Sequence, residues 1–193
     1  MEKEAVTSPN GANCPHRIKL AVRLLMVLAA AAAVAAFFLP WGTADEEYRE
    51  AAAQMPDVVY YEPTGMTVSD AADLSLMEYA GVYHSMGSVW EIYAVIMYAT
   101  LAASVLALLL AAMGKPIGAG VFAILTLAAS RVLVWDFQDR GVLPGSTHVW
   151  GPAPTAYLVA TVVFVVAAVG LFVLKRREKA AVKAGATVAQ NVQ

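Results

Sequence analysis

Four residues have the types and spacing to carry chemistry: Glu91, Tyr98, Arg131 and Asp136. Each lies in or beside a long apolar run. An ionised side chain at a bilayer centre costs roughly 2.5–3.5 kcal/mol, so it needs a partner or a route to water. Tyr98 stands 16 residues before Gly114, and Arg131 stands 16 residues after Lys115. If Gly114-Lys115-Pro116 is a tight turn, both side chains lie about 24 Å from it at the helical rise. Glu91, seven residues before Tyr98, falls on the same helical face about 10 Å further out. The spacing predicts a Glu91–Tyr98–Arg131 cluster, with Arg131 reaching outward along its aliphatic stem. Asp136 offers Arg131 a second carboxylate. Ala94 and Ala102 share the Tyr98 face, and Gly120 and Ala123 share the Arg131 face; small residues let two helices approach. Such a cluster either clamps two helices or floors a small-ligand or ion site.

Other chemistry finds little footing. His84, His148, Asp136 and Asp139 have no zinc-ligand spacing. No Ser/His/Asp order and no Gly-rich loop after a strand is present. Cys14-Pro15-His16 is an isolated pair of soft ligands, and Cys14 is the one cysteine, so no disulfide forms within the chain. No catalytic residue, cofactor or metal is assigned, and no nucleic-acid partner is expected.

The elements that must position these residues follow from composition. Of 193 residues, 60% are hydrophobic and 15% charged, against about 45–50% and 25% in soluble domains. Crossing a hydrocarbon core takes about 20 apolar residues. Four stretches qualify, at residues 20–40, 89–113, 117–135 and 155–174. Lipid offers backbone groups no hydrogen-bond partner, so each reads as helix, even the Val-rich fourth. The expected fold is an all-α, four-transmembrane-helix bundle over residues 18–174. Gly114 caps one helix and Pro116 opens the next, making a hairpin.

Charge sets the orientation. Lys3, Arg17, Lys19, Arg23, Lys115, Lys175, Arg176, Arg177, Lys179 and Lys183 fall on one side; Arg49, Arg131 and Arg140 fall on the other. The basic side is expected to be cytoplasmic, with both termini inside a cell (inner) membrane. The four tryptophans, Trp41, Trp90, Trp135 and Trp150, all fall at outer span ends and are expected as interfacial anchors. The first span could also be a signal peptide cleaved near Gly42-Thr43-Ala44; its length favours an uncleaved helix.

Residues 41–88 form the outer loop, with nine acids and one base, Arg49, between 42 and 88. A helix is expected over residues 45–55. Residues 57–62 and 66–69 are expected to pair as a β-hairpin about Pro63-Thr64-Gly65. Ser75-Leu76-Met77-Glu78 fits a capping box for a short helix with Leu76, Tyr79, Ala80 and Tyr83 on one face. Residues 1–17 are expected to be a disordered tail, and residues 175–193 a basic tail at anionic headgroups that extends the fourth helix slightly, then frays.

Leu39-Pro40-Trp41, Ser75 through Ala80, Trp135 through Gly141, and Trp150-Gly151 together resemble uncharacterised small four-helix membrane proteins of bacteria. The resemblance implies a bacterial cell membrane and carries no activity. Small multidrug transporters fit worse, since they place a glutamate in the first helix. Quinone-linked disulfide enzymes need Cys-x-x-Cys, and claudin-like proteins need two loop cysteines. The sequence leaves three functions open: a non-enzymatic accessory, assembly or envelope-sensing protein whose acidic loop meets a protein partner; a small transporter or channel component; or a membrane enzyme with an outer-surface site. The first is the expectation.

Overall fold

The computed structural model describes residues 14–190, with side chains described for 17–183. The expected tail over residues 1–13, the last three residues, and the side chains of Cys14 and His16 lie outside that range. Helix α1 spans Cys14–Ala36 and strand β1 Pro40–Ala44. Then come α2 (Glu46–Gln54), β2 (Val59–Tyr61), β3 (Met66–Thr67), β4 (Asp73–Ser75) and α3 (Leu76–Met86). Helices α4 (Glu91–Ala112) and α5 (Pro116–Asp139) precede β5 (His148–Trp150) and α6 (Ala153–Gln190).

Among the described residues, four helical segments are long and apolar enough to cross a membrane: Arg17–Ala36, Ser88–Ala112, Pro116–Asp139 and Ala153–Lys183. Their outward faces carry large apolar side chains such as Leu28, Val95, Ile117 and Val166, as lipid contact requires. They pack in a ring, α1 against α4 and α6, and α5 against α4 and α6. Small side chains make up most of the inward seam, with Met97, Leu133 and Phe137 buried toward the sheet end. Ala94, Thr100, Ser104, Ala107 and Ala111 line it on α4; Ala119, Ala123, Thr126 and Ser130 line it on α5. Small residues bring helix backbones close where lipid supplies no hydrophobic drive for association.

Two ends result. The hairpin end is closed by Gly114, whose backbone is left-handed (φ 69°). Its N–H donates to Ala111 O at 2.9 Å and that of Lys115 to Leu110 O at 2.9 Å, which satisfies two orphan carbonyls of α4. Helix α6 continues straight through the residues expected to form a tail, and Lys19 of α1 pairs with its Glu178. Likewise α1 starts at Cys14, within the segment expected to be disordered. Continuous backbone hydrogen bonding extends an established helix at little added cost.

The opposite end carries the sheets. Strand β1 is the middle of an antiparallel three-stranded sheet in the order β4-β1-β5. This sheet was not expected: Pro40-Trp41 reads as the end of an apolar span, and its partners are distant three-residue strands. Gly151 is required beside it, because a Cβ there would sit 2.2 Å from Pro40 O. The expected hairpin forms as β2 against β3, and α3 starts on the expected capping box, Ser75 Oγ accepting from Glu78 N and Glu78 from Ser75 N. Leu76, Tyr79, Ala80 and Tyr83 are buried. They join Phe37, Trp41, Phe137, Leu143 and Tyr157 in an aromatic core beneath the sheet.

Candidate functional site

The densest polar arrangement lies at the sheet end, where α3, α4 and α5 meet. Arg140 follows the last residue of α5, and its Nε donates to both oxygens of Asp136 at 3.0 Å; a terminal nitrogen also donates to Oδ2. The other terminal nitrogen donates to Tyr83 Oη of α3 at 2.9 Å. Rings enclose what remains of the guanidinium: it stands 4.1 Å from the Tyr93 centroid, 5.2 Å from Tyr83, 5.8 Å from Phe137 and 5.9 Å from Trp90. Tyr83 and Trp90 stack at 6.0 Å. The i,i+4 spacing puts Asp136 under Arg140, and the positive-φ Gly141 then turns the chain away.

Burial works against the Arg140 charge, but the Asp136 and Tyr83 hydrogen bonds outweigh it and hold its pKa above the ordinary value. Burial likewise raises the Tyr83 phenol, with Arg140 pulling the other way. All three guanidinium nitrogens donate to protein oxygens, and with the rings of α3 and α4 the cage fastens three elements. Asp136–Arg140 was readable as an i,i+4 pair. The four rings come from three separate elements, and no local spacing announces them.

The cluster expected from spacing is not assembled. Arg131 is exposed on the outer face of α5, with no hydrogen bond or ion pair among the described residues. Tyr98 is 37% exposed on α4. Glu91 faces His84, Nδ1 to Oε1 at 3.5 Å. Asp136 is held by Arg140, not Arg131. The height estimate ignored azimuth: Ser130 occupies the inward seam, and one residue further turns Arg131 about 100° away. Of the four tryptophans, Trp135 is 66% and Trp90 40% exposed, and Trp150 is half-buried in β5. Trp41 is enclosed, its rim against Phe137 and Tyr157 and its Nε1 donating to Ala36 O at 3.3 Å, so its ring meets protein rather than an interface.

Mid-depth polarity sits in one layer. Thr100, Ser104, Thr126, Ser130 and Thr161 are buried there between the aromatic core and the alanine-rich core of the hairpin end. Four of these hydroxyls donate to carbonyls of their own helices at 2.7–2.8 Å. Thr126 Oγ1 has no partner. The gap beside it, bounded by Ser104, Thr161 and Ala33, has no room for a water molecule. His148 is held too: its Nε2 bonds Ala71 O at 2.8 Å, with Tyr48 against its ring. No group of three His, Cys, Asp or Glu placed to hold a metal occurs among the described residues.

The sheet end also carries an exposed apolar run. Met55, Val58, Val59 and Tyr60 are 51–60% exposed where the chain leaves α2 and enters β2. Among the described residues strand β2 pairs with β3 and with no other strand. Glu46, Glu47, Glu50, Asp57 and Glu62 surround this run in sequence, all exposed, and none has a cationic partner among the described residues. Arg49, the loop's one base, is committed to Asp73 at 2.6 Å.

Fold and site together define a class: a helical chain with four candidate membrane-crossing helices, capped at one end by small sheets and an aromatic-caged arginine. No family model matches the chain, and neither does any curated protein or solved structure.

Proposed function

We propose that this is a non-enzymatic accessory or assembly protein of a bacterial inner membrane, its termini cytoplasmic, which recruits a protein partner through its outer end. One observation carries the reading: the exposed run Met55, Val58, Val59 and Tyr60 at an edge strand, set among acids that have no cationic partner among the described residues. An apolar edge strand invites pairing with another chain, and the acids select a partner with basic residues around its docking segment. The orientation is supported by charge: Lys19, Arg23, Lys115, Lys175, Arg176 and Arg177 all belong to the hairpin end, which positive-inside sorting assigns to the cytoplasm.

The transporter reading draws on the hydroxyl layer, but four of its five hydroxyls are bonded to their own helices and the gap beside the fifth, Thr126, is too small for water, which does not favour a relay. The enzyme reading draws on Asp136, Asp139, His84 and His148: Asp136 is held by Arg140 and His148 by Ala71 O, while His84 faces Glu91 and Asp139 is exposed, so the four are not gathered into one site.

Replacing Val59 and Tyr60 together by Lys tests the proposal. The variant is expected to fold normally and to lose at least about tenfold in stably co-purified partner, equivalent to about 1.4 kcal/mol. Unchanged recovery of the same partner would count against it.

A further inference from the structure

At the hairpin end, α5 and α6 leave a crevice on the bundle surface. Its mouth, about 480 Å³, lies between the Gly114–Gly118 turn and the α6 residues Phe172, Lys175, Arg176 and Lys179. Beside it is a slot of about 290 Å³ between Gly120 of α5 and Val165, Ala168 and Val169 of α6. Pro116, Ile117 and Phe172 line both parts, so the two adjoin. The slot has only apolar residues and glycine in its walls. Ile117 and Val169 are 66% and 57% exposed, so it opens sideways from the helix bundle.

The mouth has the opposite character. Four of its nine lining residues are cationic and none is acidic. Lys175 donates to Gly114 O at 2.6 Å and so ties α6 to the hairpin. Lys115, Arg176 and Lys179 have no anionic partner among the described residues. The nearby acid, Glu178, pairs with Lys19 on the α1 side. Three unneutralised cations over a lateral apolar slot match one chemistry: an anionic headgroup with a hydrocarbon tail attached.

We propose that this crevice binds one anionic phospholipid, its phosphate held by Lys115, Arg176 and Lys179 and one acyl chain laid along the slot past Phe172. Charge draws the headgroup, and the chain in the slot separates a resident lipid from diffuse attraction to a charged surface.

Native mass spectrometry of the full chain released from non-ionic detergent, with phosphatidylglycerol or phosphatidylcholine titrated in, tests this. One phosphatidylglycerol is expected to stay bound at least tenfold more tightly than phosphatidylcholine. Inorganic phosphate at matched concentration should not displace it. K115Q/R176Q/K179Q should lose that preference. V169W changes no charge and projects from an exposed position into the slot; it should weaken retention at least fivefold. R177Q, on the same turn but outside the crevice, should bind within twofold of the parent. Equal retention of the two lipids would overturn the proposal. So would a V169W protein that binds like the parent, which would leave surface charge as the whole effect, or full displacement by phosphate.

Discussion

Removing the caged guanidinium should unfasten the sheet end, and the size of the effect can be worked from the geometry. Arg140 makes charge-assisted hydrogen bonds to Asp136, one neutral partner bond to Tyr83, and a close approach to the Tyr93 ring. Truncating one side of a buried ion pair costs about 3–5 kcal/mol. The side chains here are 20% and 19% exposed, so the low end applies, and Arg140→Met should cost about 3 kcal/mol. Asp136→Asn leaves Tyr83 and the rings in place and should cost about 2 kcal/mol. The double variant strands neither charge; it should cost about 3.5 kcal/mol, leaving a coupling of about 1.5 kcal/mol. Equilibrium unfolding in mixed micelles, followed by tryptophan fluorescence, measures all four proteins, since Trp90 sits on the cage. Additivity within about 0.3 kcal/mol would refute the clamp.

Arg131→Leu should change stability by less than about 0.5 kcal/mol, because Arg131 makes no hydrogen bond or ion pair among the described residues; a loss comparable to Arg140→Met would restore the cluster expected from spacing. Gly151→Ala should cost about 2 kcal/mol or more and expose the sheet to protease, since its Cβ meets the Pro40 backbone rather than a movable side chain. Burial raises the phenol pKa values of Tyr79 and Tyr83 above 10.0. The folded state then binds those protons more tightly than the unfolded one. Their contribution is fully present below about pH 10 and is lost as pH climbs toward the folded values. Unfolding free energies between pH 8 and 11 should fall less steeply for Tyr79→Phe than for the parent; identical slopes would contradict this.

What could be read from sequence was what is local. The Ser75–Glu78 capping box and the Gly114–Pro116 hairpin involve neighbours with specific backbone needs, and both form. The sheet could not be read, because Gly42 pairs with Leu74 and Trp150, and short strands so far apart leave no local pattern. The polar cluster failed for a related reason. Distance from the hairpin sets height, but rotation about the axis decides who touches whom. In a membrane helix both faces are apolar, so hydrophobicity does not mark the inward one. The usable signal was residue size: Ala119, Ala123, Thr126 and Ser130 trace the seam, and Arg131 lies beside it. Arg140 has no local signature as a clamp, because its partners Tyr83, Trp90 and Tyr93 lie about fifty residues earlier.

The most direct test of partner recruitment by the outer strand edge is site-specific photo-cross-linking in native membranes. A photoreactive residue replaces Val59 in one protein and Val166, exposed on the outward face of α6, in another. From position 59 we expect one discrete protein adduct of constant mass, lost when Tyr60 is also changed to Lys, and no such adduct from position 166. Absence of any protein adduct at position 59, or the same adducts from both positions, would contradict the account.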